Sequence, residues 1–430
     1  MLMGQHNVLA MILAGGKGER LMPLTEHRSK PAVPFAAKYR IVDFVLSNFL
    51  NSGIHAIYVL VQYRSQSLIE HVRRAWRIEG RLPQNFVSVV PPQMRSREGW
   101  YEGNADAVYQ NINLIRDFAP DFVAVFGADH IYRMDISQMA QFHQDHRADV
   151  TVAALPVPLK AATGFGIIEV SREPGADHAH RIVGFEEKPI QPKPMPDDSE
   201  QAYSSMGNYL FNTDLLIQVL ERDANRPGSH DFGRDIVSQL ITSHRVLAYN
   251  FCQNVTPGLQ PYEERAYWRD VGTLEAYWQA HMDVLGESPI FDLRNNHWPI
   301  VTDRYDGPPA SVIRSRIDDA LIGPGTRIVD AEIRRSIIGR NVTIETGAQL
   351  EGCIILNDAV VGSKSKLRRV IADRFTIVPP GNEIGYNADS DRTRYQVGKS
   401  GLVVLPQGSP HRSSHSTRLS TGSPLTSVSQ

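Results

Sequence analysis

The chain is 430 residues long, more than one ordinary hydrophobic core accommodates, and its length predicts two or three domains of roughly 100–200 residues each. Its make-up, 42% hydrophobic and 21% charged with a formal net charge of −2, fits a soluble globular protein and argues against a nucleic-acid binder or a disordered chain. Cys252 and Cys353 lack any Cys-x-x-Cys or Cys/His spacing, so neither a disulfide framework nor a zinc site is expected, and both read as reduced thiols of a cytoplasmic protein.

The apolar run from Val8 to Ala14 has no basic cluster before it and leads directly into Gly15-Gly16-Lys17-Gly18. It therefore reads as a buried first strand rather than a signal peptide. Elsewhere no stretch approaches the ~18 continuous apolar residues that span a bilayer, and no membrane association is expected. From about Ile41, the residues Val42, Val45, Leu46, Phe49 and Leu50 recur at helical spacing, with Gly53 placed to cap the helix. Ile54 to Val61 reads as a second strand. The alternation continues through a helix around Val108, Ile112 and Ile115, a strand from Phe122 to Phe126, a helix after Asp135 and a strand from Val150 to Leu155. This rhythm predicts a Rossmann-like α/β domain over residues 1–285, built on a mostly parallel sheet with its ligand site at the carboxyl ends of the strands.

Over residues 286–310 the periodicity fades and Pro289, Pro299, Pro308 and Pro309 gather, which predicts a linker or an extended connector. From 311 to 405 apolar residues recur every six positions, as in Ile338, Ile344, Leu350, then Ile355, Val361, Leu367, then Ile371, Ile377. Ile322, Ile338, Val361 and Ile384 are each followed by glycine. Such spacing predicts a left-handed parallel β-helix of hexapeptide repeats, each short strand pointing one aliphatic side chain inward. Residues 406–430, rich in Ser, Thr, Pro and Gly, are expected to be a disordered tail.

The segment Leu13-Ala14-Gly15-Gly16-Lys17-Gly18-Glu19-Arg20-Leu21 follows the first strand, where glycines let backbone N–H groups approach a phosphate chain. It is no P-loop, because Gly-Lys-Ser/Thr does not end it, and no dinucleotide fingerprint, because Leu21 stands in place of the third glycine. Arg20 and Lys30 put two cations near this turn. Together with Ser29-Lys30-Pro31-Ala32-Val33, the opening resembles that of the sugar-phosphate nucleotidyltransferases. Lys38-Tyr39-Arg40-Ile41-Val42-Asp43-Phe44 and Leu46-Ser47-Asn48 narrow the resemblance to the ADP-glucose pyrophosphorylase branch. Further matching segments are Trp100 to Val108, Gly127-Ala128-Asp129-His130, Phe185 to Pro189, Ser205-Met206-Gly207, His230-Asp231-Phe232-Gly233 and Tyr267 to Thr273. The likeness covers about residues 8–405.

The resemblance implies transfer of an adenylyl group from ATP to glucose 1-phosphate, giving ADP-glucose and pyrophosphate for glucan synthesis. Two anions must meet, so positioning and charge neutralisation are the expected means. By resemblance, Arg20 and Lys30 contact the triphosphate, while Asp129, just past a strand end, and Asp270 hold Mg2+. Gly15 and Gly16 approach the phosphates, Lys188 meets the phosphate of glucose 1-phosphate, and Glu187 accepts from sugar hydroxyls. Tyr101, Gly166 and Ser205 stand at the remaining positions for the sugar nucleotide.

Relatives of this kind are typically homotetramers whose effectors bind between the catalytic domain and the β-helix. Candidate effector cations are Arg28, Arg40, Arg368 and Arg369. His27 stands where some relatives carry an activator-binding lysine, and Ala36-Ala37 replaces the usual Gly-Gly. A histidine is largely neutral at pH 7, so the activator could be fructose 6-phosphate or pyruvate rather than fructose 1,6-bisphosphate, opposed by an anionic inhibitor such as AMP or phosphate. The alternatives are a uridylyl- or thymidylyltransferase and a non-catalytic regulatory subunit. Ser47-Asn48 and Trp268-Arg269-Asp270 favour ATP over the first, and the presence of Arg20, Lys30 and Asp129 speaks against the second. A β-helix acyltransferase would need a catalytic histidine, and residues 311–405 contain none.

Overall fold

The computed structural model describes residues 7–77, 85–93, 100–171, 173 and 180–409. Its first domain is built on nine strands: β1 (Val8–Ala14), β2 (Ala56–Val61), β3 (Phe86–Val90), β4 (Phe122–Gly127), β5 (Val150–Pro158), β6 (Gly166–Val170), β7 (Ile182–Glu187), β8 (Gln201–Asn212) and β9 (Val246–Asn250). They lie in the order β7-β6-β8-β4-β1-β2-β3, with β5 also on β8 and β9 beyond it. β3, β2, β1 and β4 pair in parallel; β8 is antiparallel to β4, β5 and β6, and β7 is antiparallel to β6. The sheet is therefore mostly parallel, with β8 and β7 opposed to the rest.

β1 is apolar throughout because both of its faces are covered, one by each of two hydrophobic cores. Ala10 and Ile12 face helix α1 (Ile41–Asn51), whereas Leu9 and Met11 face the layer that carries Val108 and Ile115. That second layer is two short helices, Asn104–Tyr109 and Ile112–Phe118, where the periodicity suggested one. The break places Asn111, whose Nδ2 donates to the Tyr101 hydroxyl at 3.0 Å.

Strands of the second domain stack in parallel with Ile338, Ile355 and Ala372 in register, and likewise Ile344, Val361 and Val378. Leu350, Leu367 and Ile384 line the third face. Coil-to-coil contacts such as Arg340 N to Asn357 Oδ1 thus join residues 17 apart. Where the sequence pattern placed Ile371 and Ile377 inside, 16 residues after Ile355 and Val361, the 17-residue coil turns Ala372 and Val378 inward instead. Ile377 is 54% exposed, and Ile371 packs against the first domain. Glycine corners bring the coils together: a Cβ on Gly323 would stand 2.6 Å from the Gly339 carbonyl carbon. The architecture is the parallel β-helix predicted from the repeats.

Residues 286–310 form no helix or strand and pack as an extended strap, because they carry apolar anchors. Phe291, Trp298 and Ile300 are buried. Asn48 accepts from Trp298 Nε1 at 3.2 Å, Ser47 Oγ accepts from Val301 N at 2.9 Å, and Asp43 accepts from Thr302 Oγ1 at 2.7 Å. Ser47 and Asn48, read from sequence as favouring ATP, are buried in this scaffold. The start of the expected tail is also held: Thr376 Oγ1 donates to Pro406 O at 2.9 Å, and Gly408 N donates to Arg374 O at 2.9 Å. Disorder beyond residue 409 concerns residues outside the described ones.

A shared core of Phe35, Phe44, Tyr277, Ile337, Ile354 and Ile371 joins the two domains. Within it His281 accepts from Ala36 N at 3.1 Å through Nε2 and donates through Nδ1 to Tyr277 O at 2.8 Å. Burial pushes this imidazole down to about 3, with the Tyr277 carbonyl offsetting part of the effect. A folded pKa below the unfolded one means that stability is intact above about pH 6.5 and is lost as pH falls toward 3, at up to about 1.4 kcal/mol per pH unit. Urea denaturation at pH 7 and pH 5.5 should show the native chain losing about 1 kcal/mol more than His281→Gln. An equal loss in both would assign the pH dependence elsewhere.

Candidate active site

The ends of β1, β2 and β4 open on a cavity of about 630 Å³ lined by Gly15, Gly16, Lys30, Gln62, Tyr101 and Asp129, among others. Gly15 and Gly16 leave β1 at its carboxyl end, where a sheet of this kind presents its ligands. Gly18 turns the loop with φ +68, a left-handed conformation that favours glycine. A Cβ there would come within 3.1 Å of Lys30 Cβ, so the turn packs directly on the lysine stem.

Lys30 is 6% exposed and its ammonium sits between two carboxylates, 3.0 Å from Asp129 Oδ2 and 2.8 Å from Asp270 Oδ1. Burial alone would lower its pKa, but Asp129 and Asp270 outweigh that and raise it. Burial likewise works to raise the Asp129 pKa, and the Lys30 ammonium with His130 overrides it, holding the carboxyl well below the usual range. Asp129 follows β4; Asp270 comes from a short strand, Trp268–Asp270, that pairs antiparallel with His130–Tyr132. Tertiary pairing thus joins two carboxylates far apart in sequence. Gly272 leaves room for this: a Cβ there would fall 2.9 Å from Asp270 Oδ1 and 2.8 Å from Arg20 Nη2.

Arg20 stands at the exposed rim, 3.9 Å from Asp270 Oδ2. Glu187 lines the cavity, while Lys188 is over half exposed and pairs with Glu187 at 3.3 Å. Gly166 lies under Glu187, where a Cβ would meet Phe185 Cζ at 2.7 Å and Glu187 Oε2 at 2.8 Å. Here glycine admits the protein's own side chains. Ser205 begins a bulge in β8, where the register against β5 shifts between Ser205 and Tyr209; its Oγ accepts from Gly207 N at 3.2 Å, and Gly207 lines the cavity.

Sequence reasoning missed Gln62 and His130. Gln62 accepts from Tyr101 N at 3.0 Å and donates to Tyr101 O at 3.3 Å, fixing that loop over the cavity. It follows β2 as Asp129 follows β4, and the strand-end rule could have found it. His130 offers a nitrogen within 4.8 Å of oxygens from both Asp129 and Asp270, and its buried Nδ1 has no partner among the described residues. Two hard carboxylates at the edge of the cavity suit a divalent cation that keeps oxygen ligands.

A second cavity, about 200 Å³, lies between the first domain, the strap and the β-helix. Arg28, Lys38, Arg40, Arg74, Arg340 and Arg374 line it against only Asp303 and Asp358. Burial and then Arg374 lower the Arg40 pKa to about 10, with Arg28 adding to the crowding. Arg28 Nη1, Arg340 Nε and Arg374 Nε are buried without partners among the described residues. Of the effector residues expected from sequence, Arg28 and Arg40 come together here. The other three do not: His27 is exposed, Arg368 stacks over Tyr386, and Arg369 stacks over Trp278 and pairs with Glu275. Ala36 and Ala37 take φ +48 and +63, a left-handed conformation that glycine adopts more easily, so the turn that would suit Gly-Gly is formed here by two alanines.

Residues 9–287 match the family described as Nucleotidyl transferase, and residues 308–405 match GlmU-like, C-terminal hexapeptide. A glucose-1-phosphate adenylyltransferase of Thermodesulfovibrio yellowstonii is 51% identical over 401 residues, 93% of this chain and 96% of the relative. Enzymes of the same name from Anaeromyxobacter sp. and Photobacterium profundum are 48% and 45% identical, each over 93% of this chain and 98% of their own length. No helix among the described residues is long and apolar enough to cross a membrane. With a family model matched over residues 9–287 and relatives 45–51% identical over 93% of its length, the chain belongs to the nucleotidyl transferase family, among the glucose-1-phosphate adenylyltransferases.

Proposed function

We propose that the chain joins ATP and glucose 1-phosphate into ADP-glucose and pyrophosphate. The observation that carries this reading is the Lys30–Asp129–Asp270 cluster at the rim of a cavity whose wall is the Gly15-Gly16 loop. A phosphate oxygen of glucose 1-phosphate forms a bond to the α-phosphorus of ATP, and the bond from that phosphorus to the departing pyrophosphate breaks. Backbone N–H groups at Gly15 and Gly16 hold the phosphates, while Lys30 and Arg20 stabilise charge that grows on the leaving group. Asp129 and Asp270 hold Mg2+, which supplies further neutralisation of phosphate charge when bound. Tyr101, Gly166 and Ser205 shape the remainder of the nucleotide-sugar site, and Glu187 accepts from sugar hydroxyls.

Lys188 meets the phosphate of glucose 1-phosphate after leaving Glu187. Lys188→Ala should raise the KM for glucose 1-phosphate by at least about tenfold with a smaller change in kcat, because a charge-assisted contact contributes about 1.5–3 kcal/mol. Steady-state kinetics with each substrate varied in turn checks this, and an unchanged sugar-phosphate KM removes Lys188 from the site.

The cationic second cavity supports regulation by a small anion, with sugar phosphates or pyruvate as activators and AMP or phosphate as inhibitors. We take the working form to be a cytoplasmic homotetramer. Pyrophosphorolysis of ADP-glucose, UDP-glucose and dTDP-glucose, each alone and with a panel of these anions, tests both proposals. Preference for UDP-glucose or dTDP-glucose would overturn the choice of ATP, and indifference to every anion would overturn the regulatory reading.

A further inference from the structure

Asp129 and Asp270 reach one buried ammonium, and both must be available if the same pair is to hold a divalent cation. Two carboxylates this close repel each other, so one cation between them is a condition for the arrangement rather than an ornament. The Lys30 stem has little freedom of its own, being pinned by Gly18 and nearly sealed from solvent, but its ammonium opens on the cavity. A lysine ammonium is a compact point charge that can change partners by a rotation of its terminal bonds, even where the base of its stem is held.

We propose, resting on the function given above, that Lys30 is a resident counter-cation: it holds Asp129 and Asp270 together in the empty site, surrenders both to a divalent cation, and turns to the phosphate chain. Binding of metal and of nucleotide is then linked through one side chain. Without a phosphate chain to receive it, the displaced ammonium is left close to a second cation, so metal alone binds weakly. With the phosphate chain present, the ammonium has a new partner and the opposition vanishes. A lysine that serves only as a structural bridge predicts something different, namely that its removal loosens the fold and leaves metal affinity no better.

The test is binding of Mn2+ alone, without nucleotide, followed by electron paramagnetic resonance, with unfolding monitored in parallel. Lys30→Met should bind Mn2+ at least about tenfold more tightly than the native chain, because a unit charge a few ångströms away is gone. Adding Asp129→Asn to Lys30→Met should abolish the gain. Affinity that is unchanged or weaker in Lys30→Met overturns the proposal, as does a gain that survives Asp129→Asn. Should Lys30→Met fail to fold, Lys30→Gln removes the charge while keeping a hydrogen-bonding end, and the same outcomes apply. Failure of the underlying reading is distinguishable: Mn2+ binding to the native chain with ATP would then be indifferent to Asp129→Asn, whereas failure of the counter-cation alone leaves that dependence intact.

Discussion

Asp129→Asn is expected to lower turnover by at least about a thousandfold in both directions, with the fold preserved. Asparagine keeps the size of the side chain and one carbonyl oxygen, and the site is about one-third open to the cavity, so neither packing nor a buried core is at stake. The charge is what disappears. Asp129 shares Lys30 with Asp270, and its neutral replacement leaves the ammonium to Asp270 alone, drawing it toward one side of the cavity. The proposed metal would lose a negatively charged ligand at the same time. Both changes act on groups proposed to meet the phosphate chain, so kcat should fall more than either KM rises. Turnover in the forward and pyrophosphorolysis directions, beside thermal melts of both proteins, measures the effect. Near-native kcat in a folded variant would remove Asp129 from the chemistry.

How far the sequence leads depends on whether a feature is local. β1, α1 and β4 are written in runs of adjacent residues, apolar on both faces or on one, and the structure gives them close to the expected bounds. Repeats in the β-helix are local too, but their period is set by the mean length of three sides and their corners. The stacking of Ile338 on Ile355 takes 17 residues and so does that of Ile355 on Ala372, but aliphatic residues at 371 and 377 mimic the pattern one position early, and the stacking leaves Ile377 outward. Lys30 and Asp270 stand 240 residues apart, and nothing in either neighbourhood announces a 2.8 Å contact. Only the pairing of Trp268–Asp270 with His130–Tyr132 brings it about. The strap was illegible for another reason. Its anchors, Phe291, Trp298 and Ile300, are scattered without period because each fits a separate site on a surface formed by other segments.

Asp373→Ala is expected to cost about 3–5 kcal/mol of stability, far more than a surface ion pair. Arg28 of the first domain donates through Nη2 to both Asp373 oxygens at 2.7 Å and to Gln407 Oε1 at 2.7 Å, and the pair is almost wholly sealed from solvent. Loss of the carboxylate leaves a guanidinium buried among Arg40 and Arg374, the same crowd that already depresses the Arg40 pKa. Arg28 is only 3% exposed, so the cavity it lines offers little hydration in place of the carboxylate. The penalty is therefore that of an unpaired buried charge and not the net worth of the bridge. Replacing both partners, as in Arg28→Met with Asp373→Leu, should destabilise less than Asp373→Ala alone, since no charge is stranded. Guanidinium denaturation of the three proteins distinguishes the cases. A loss below about 1 kcal/mol in Asp373→Ala would mean that the cavity admits enough solvent to hydrate Arg28, and would count against a tight junction between the domains.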